Sequence, residues 1–217
     1  MRKVPTQARA KQRVESILDA TEALIIEDGL ATLTVNNIAA RAQVPIGSLY
    51  QYFTNRDEVL RALCDRHYKI LEAGSAECFS NVTSIADFTR DVRNALQLCW
   101  DYTRDNPGYR RLFFDVQAWE VMREADWQDT FVNAKRMSQA LQSLVPYVPQ
   151  ESLLALCLIV GDSASNTARL ASRFDDLQEE LFSQFIDMVE SRVYTLLRDN
   201  AALERTVLSG DFALKAH

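Results

Sequence analysis

The stretch that decides the fold is Gly29–Leu63, GLATLTVNNIAARAQVPIGSLYQYFTNRDEVLRAL. Thr34 is a good N-cap, and Val35, Ile38, Ala39 and Ala42 share one side of the short helix that follows, predicted over Val35–Gln43. Val44 precedes Pro45, which disfavours helical geometry at residue 44 and suits the first position of a new helix, so the next helix is predicted over Pro45–Tyr52. Two short helices therefore meet at a tight corner. Ala39 is small where two helices must approach, and Leu49 and Phe53, four residues apart, point inward. Ile46, Gly47, Ser48, Tyr50, Gln51 and Tyr52 remain for the outer faces. None of the residues from Ile46 to Phe53 is charged, and two tyrosines on a surface ask for an explanation. Hydrogen bonding to phosphate is one reading; half-buried packing is the other.

Upstream, Val14, Ile17, Leu18, Leu24 and Ile25 fall on one helical face with Thr21 in phase, and Gly29 follows where a left-handed cap would stop the helix. Downstream, Asn55 offers an N-cap with Asp57 and Glu58 in the first turn. Val59, Leu60, Leu63, His67, Ile70 and Leu71 then mark the buried stripe of a long helix reaching about residue 80. Ser84 and Asp87 open a further helix that ends at Asn106-Pro107-Gly108, and Pro107 starts the next, through Phe114. Helical patterns then run over Trp119–Leu144, Glu151 to about Ser172 and Leu177 to about Arg198.

Composition agrees with few loops. Six glycines and five prolines occur among 217 residues, where average usage of ~7% and ~5% would give roughly 26. The longest apolar run, Leu153–Val160, is far short of the ~18 residues of a membrane span. The polar start MRKVPTQARAKQR carries no signal sequence, so a cytoplasmic chain with no membrane partner is expected. Four cysteines without a CxxC pair, and only His67 and His217, exclude structural zinc, leaving four free thiols packed as small hydrophobes and His67 as a packed or solvated side chain. The net charge of -6 hides an asymmetry. Residues 1–70 hold 10 Lys/Arg against 8 Asp/Glu, and residues 71–217 hold 14 against 22. Arg2, Lys3, Arg9, Lys11 and Arg13 all precede the first acidic residue, Glu15, so a polyanion approaches this end most easily; a solvated, frayed arm is the other reading.

A helix-turn-helix reads DNA because its first helix braces the second, whose exposed face enters the ~12 Å major groove while helix ends and side chains grip phosphates. The corner at residues 34–56 has residues for those jobs. With its flanks, Ile17–Leu63 resembles the DNA-binding head of the TetR family of transcriptional regulators. The pattern G-x-x-x-x-T-V-x-x-I-A-x-x-A-x-V-x-x-G-x-L-Y-x-Y-F is matched in register from Gly29 to Phe53. Beyond residue 70 the resemblance is of architecture only.

The resemblance implies an all-α fold: an N-terminal three-helix helix-turn-helix DNA-binding domain with a basic arm over residues 1–55, and a C-terminal helical ligand-binding and dimerisation domain over 56–217. It implies a homodimer whose two heads read a pseudo-palindromic operator, with a small molecule in each C-terminal domain changing the separation of the heads. Carried over by position, Thr34 matches a cap that also reaches phosphate, Gly47 and Ser48 lie at the entry of the reading helix, and Tyr50 and Tyr52 match backbone-contacting aromatics. Arg56 replaces the usual lysine and adds a fork suited to phosphate. Pro45 stands where Ser is common and Ile46 where a polar residue is frequent; Ile46 can instead touch a thymine methyl. Gln51 has two readings, a bidentate bond to adenine or a bond to phosphate.

In the C-terminal part, Trp100, Phe113, Phe114, Trp119, Trp127 and Phe131, with Tyr102 and Met122, are expected to line an apolar ligand cavity or to fill a core. Tyr109, Gln117 and Asn133 are candidate polar anchors, and Arg110, Asp115 and Arg123 charged ones. The last two helical segments are wide apolar surfaces, with small spots at Gly161, Ala164 and Ala168, suited to an isologous four-helix dimer or to burial within one subunit. Neither a glycine-rich phosphate loop nor a Ser-His-Asp arrangement points to an enzyme, and no cofactor is implied. The reading is a regulator, a repressor released from its operator by a small, largely apolar effector. The alternatives are an activator or corepressor-dependent regulator, or a helical binding protein or enzyme that keeps the head as a scaffold.

Overall fold

The computed structural model describes residues 4–115 and 119–209, and among them every regular element is helical. The first helix, α1, spans Val4–Asp28. It starts well before Val14 because Ala8 to Arg13 are all good helix formers. Arg2, Lys3 and His217 lie outside the described residues. The helix stops at Gly29, whose φ of 82° suits glycine and whose N–H donates to the Ile25 carbonyl at 3.1 Å.

The second helix, α2, spans Val35–Arg41, two residues shorter than its apolar pattern predicts. Gln43 takes φ 54°, the Val44 N–H donates to the Ala39 carbonyl at 3.0 Å, and the Gln43 N–H donates to the Ala40 carbonyl at 3.2 Å. This is a Schellman termination with glutamine at the position glycine usually holds, sealed by burial of Val44 and Ala39. The third helix, α3, covers only Ile46–Leu49, with Pro45 as its N-cap; the predicted stretch to Tyr52 continues as turns, with the Phe53 N–H on the Leu49 carbonyl at 3.0 Å.

The remaining helices are α4 (Arg56–Cys78), α5 (Ile85–Asp105), α6 (Pro107–Asp115), α7 (Glu120–Leu144), α8 (Gln150–Ala171) and α9 (Gln178–Ser209). At the start of α4, the Glu58 N–H donates to Asn55 Oδ1 at 2.9 Å, and at the start of α5 the Asp87 N–H donates to Ser84 Oγ at 3.1 Å. The last helix outruns its predicted end near Arg198.

The chain forms two compact units, one from the described residues of Met1–Leu71 and Asp101–Asp129, the other from those of Glu72–Trp100 and Thr130–His217. They do not follow a division at residues 55 and 56, because α4 is unbroken from Arg56 and its first turns bury Val59, Leu60 and Leu63 in the first unit's core. That core also holds Ile17, Leu18, Leu24 and Ile25 of α1, Ile38 and Ala39 of α2, Leu49 and Phe53. Thr21 is buried among them, its hydroxyl donating to the Ile17 carbonyl at 2.8 Å. Ile70, expected on the buried stripe of α4, is exposed. The second unit packs Phe79, Phe88, Met137, Leu141, Leu153, Phe185 and Leu196 into its own core. Cys64 and Cys157 are buried, and burial pushes both thiols up to about 12; Cys78 is half-buried and Cys99 exposed, so the four are not alike in packing. No helix of the described residues is long and apolar enough to cross a membrane.

Candidate nucleic-acid interface

The corner is held from beneath and open above. At its entry Thr34 Oγ1 accepts the Asn37 N–H at 3.2 Å, while Asn37 Oδ1 accepts the Thr34 N–H at 2.8 Å. This reciprocal capping box satisfies two amide donors that the start of α2 would otherwise leave orphaned. Asn37 Nδ2 also donates to the Thr32 carbonyl at 3.1 Å, tying the cap to the preceding turn. Asparagine stands where a capping box usually has Glu or Gln, so only Thr34 was legible as a cap. Arg41, near the end of α2, forms a two-pronged ion pair with Glu27 of α1.

Leu49 is fully buried and Phe53 nearly so, which turns the intervening residues outward. Tyr50 is 52% exposed, Gln51 and Ile46 are exposed, and Ser48 and Tyr52 are half-buried. Packing therefore accounts for part of Tyr52 but not for Tyr50. Gly47 is exposed, its φ is not in the left-handed region, and a Cβ built on it would meet nothing within 4 Å. Neither conformation nor packing within this chain demands glycine there, and its effect is to leave bare backbone at the entry of α3. Thr34 is exposed as well, so Thr34, Ile46, Gly47, Tyr50 and Gln51 present hydroxyl, amide, apolar and main-chain groups outward from a braced corner.

Arg56 is differently placed. Its guanidinium carbon sits 4.2 Å from the centroid of the Trp119 ring, Nη1 lies 3.4 Å from the Leu33 carbonyl, and Nε lies 3.4 Å from Asp57 Oδ1. A residue expected at phosphate and one expected at a ligand are thus in contact with each other. Close by, Glu58 accepts the Thr54 N–H at 2.6 Å, and this bond holds its carboxyl below the usual range.

The six aromatics expected to line a cavity are not gathered in one unit. Trp100 is buried in the second unit, edge-on to Phe182 at 5.3 Å, and Phe131 of the same unit is exposed. In the first unit Phe113 is buried and stacked on Tyr109 at 5.9 Å, whereas Phe114 and Trp127 are exposed and Trp119 underlies Arg56. Helical spacing puts Trp127 and Phe131 on one face of α7, and that face is turned to solvent. Of the polar candidates, Tyr109 is buried against Tyr102, Asn133 accepts from Arg136, Arg123 stands over Trp127 and Arg110 is exposed. Gln117 lies outside the described residues, as does the side chain of Asp115.

A polar cluster beside Tyr109 was not foreseen. His67 is buried, its Nδ1 is 2.8 Å from the Tyr102 hydroxyl, and its Nε2 lies 3.4 Å from Glu22 Oε1 without a formed hydrogen bond. Glu22 also pairs with Arg66 at 2.5 Å, and Arg66 reaches Asp19 at 2.6 Å. The imidazole first, and the guanidinium after it, hold the Glu22 carboxyl below its usual range. No group of three or more His, Cys, Asp or Glu among the described residues is placed to hold a metal ion.

Comparison with known proteins gives this corner its context. Residues 17–63 match the family of bacterial regulatory proteins, tetR family. Within those residues, which include the whole corner from Thr34 to Phe53, the chain is similar to that family. It is 29% identical over 93 residues to an uncharacterized HTH-type transcriptional regulator of Haemophilus influenzae, covering 43% of this chain and 48% of that protein. It is 29% identical over 109 residues to the nucleoid occlusion factor SlmA of Pasteurella multocida, covering 50% of this chain and 53% of SlmA. The chain thus spans about half the length of these relatives. Its fold is shared more widely. A TetR-family transcriptional regulator of Streptomyces coelicolor superposes with a TM-score of 0.64 at 22% identity over 85% of this chain and 99% of that one. SmeT, the repressor of the Stenotrophomonas maltophilia multidrug efflux pump SmeDEF, superposes at 0.64 and 19% identity over 82% and 89%.

Proposed function

We propose that this chain is a cytoplasmic transcriptional repressor of the tetR family that binds a pseudo-palindromic DNA operator as a homodimer and is released by a small, largely apolar effector. The observation that carries this reading is the outward set on α3 and its flanks. Tyr50 stands half in solvent, Gly47 has open space above it, and Leu49 and Phe53 anchor them from below. In this role Tyr50, Tyr52, Ser48 and the hydroxyl of Thr34 donate to phosphate, which sets register, while Gln51 and Ile46 meet base edges in the major groove.

The dimer reading rests on α8 and α9. Both bury one face in the second unit and leave Ile159, Leu170, Met188 and Tyr194 exposed, as are Phe174 and Leu177 in the link between them. Apolar groups on two adjacent helices suit an isologous contact with a second copy. Two heads joined in this way reach both half-sites only at one separation, so an effector that favours another separation weakens binding. Moving such an equilibrium almost completely takes about 5.5 kcal/mol of differential affinity. That SmeT, of the same fold, has been characterised as a complex with triclosan makes an apolar effector the natural class to test first.

A gel shift with the DNA flanking its own gene tests the reading. The expected result is a retarded complex that weakens steeply with added salt, because phosphate contacts release counterions. Absence of a retarded complex, or a complex that added salt leaves unchanged, overturns it.

A further inference from the structure

We infer, on the DNA-binding reading above, that Trp119 is a positioning residue for the operator contact of Arg56 and not a ligand contact. The Trp119 carbonyl accepts the Met122 N–H at 3.2 Å and the Arg123 N–H at 3.0 Å, so the residue is fixed as the cap of α7. Its ring in turn carries the Arg56 guanidinium at 4.2 Å. That stack takes away much of the rotamer freedom of a long side chain, and with Nε and Nη2 each 3.4 Å from Asp57 Oδ1 it leaves the second N–H of each terminal nitrogen to donate to a phosphate. One of the donors lies 3.4 Å from the Leu33 carbonyl, in the residue before the Thr34 cap. Arg56 therefore joins three segments of the first unit: the first turn of α4, the lead-in to α2, and the start of α7. Lysine at this position would lack the planar face that the indole supports and the second donor that reaches Leu33.

The consequence is a graded dependence of DNA affinity on the residue at 119. The probe is a labelled mixed-sequence duplex of about 30 base pairs, long enough for two half-sites, titrated against the full chain at several salt concentrations. Arg56→Gln is expected to lower the salt slope by about one phosphate contact. Trp119→Leu, which leaves the charge in place, is expected to weaken binding about two- to fivefold, as loss of one cation–π contact implies. Trp119→Phe restores most of that loss, and Trp119→Leu adds little in an Arg56→Gln background. Thermal melts of each variant, and the emission of Trp119 in a Trp100→Phe, Trp127→Phe background with and without Arg56→Gln, read the stack without DNA. An emission change with Arg56→Gln supports the stack.

Wild-type affinity for Trp119→Leu, full additivity of the two changes, or unaltered emission overturns the inference while leaving the DNA-binding reading intact. A wild-type chain that binds no duplex overturns both.

Discussion

Gly108 offers a test in which two physical effects oppose each other and the structure decides the sign. It is the second residue of α6, where alanine would ordinarily stabilise by up to about 1 kcal/mol through helix propensity. A Cβ at this position, however, would stand 2.7 Å from Glu22 Cδ, and closer still to Cγ and Oε1. The crowded atoms include the middle of the side chain, so Glu22 must leave its place or α6 must lift from α1. Leaving means giving up the 2.5 Å bond to Arg66 and the approach to His67. A hydrogen bond to a charged group contributes about 1.5–3 kcal/mol. The lower end applies, because Arg66 keeps Asp19 at 2.6 Å. Overpacking adds about 1 kcal/mol or more. Gly108→Ala should therefore destabilise by about 1–2 kcal/mol net. In a Glu22→Ala background the obstruction is gone, and the same change should stabilise by up to about 1 kcal/mol. Urea midpoints at fixed protein concentration measure both differences. The same sign in the two backgrounds would refute the reasoning.

Gln43→Gly should stabilise by about 0.5–1 kcal/mol, since φ 54° is strained for any side chain, while Gln43→Val should destabilise; chemical denaturation reads both. Tyr50→Phe should weaken binding about equally for all duplexes and Gln51→Ala should relax preference at one or two base pairs, as an operator-library titration would report; unchanged affinity for Tyr50→Phe removes that residue from the interface. The Glu22 carboxyl, lowered by His67 and Arg66, contributes stability above its ordinary value of 4.5 that is lost as pH falls through its lower folded value. The stability gap between the wild type and Glu22→Gln should accordingly close in acid below pH 4.5, by denaturation at stepped pH. Leu181 is half-buried, so the dimer is better probed at the exposed Ile159 and Met188, each 64% exposed; Ile159→Arg with Met188→Arg should give folded monomers by light scattering.

The corner was legible because its signals are local: Thr34 caps, Pro45 restarts, and Leu49 and Phe53 are spaced for one buried side. Gln43 was not, because glutamine has no leaning toward positive φ; the bonds from Gln43 and Val44 to the preceding turn impose it. Helix α2 therefore ends earlier than its apolar pattern. The same limit applies to the aromatics. Periodicity identifies Trp119, Trp127 and Phe131 as large side chains on helices, but whether each meets a cation, solvent or a core depends on neighbours distant in sequence. The pairing of Arg56 with Trp119 and of Glu22 with His67 has no signature in spacing at all. The long N-terminal extension of α1 was hidden by reading charge, which suggested an arm, ahead of helix propensity, which continued the helix.

The division of labour at the corner has an evolutionary corollary. Thr34 apart, the side chains that hold the bend, Asn37, Val44, Leu49 and Phe53, are distinct from those that face away, Ile46, Gly47, Tyr50 and Gln51. Mutations in the second set cost the scaffold little. If the proposed interface is the one used, such a head can drift to a new recognition sequence through viable intermediates, and a designer could swap its target by exchanging four solvent-facing letters while keeping the buried grammar.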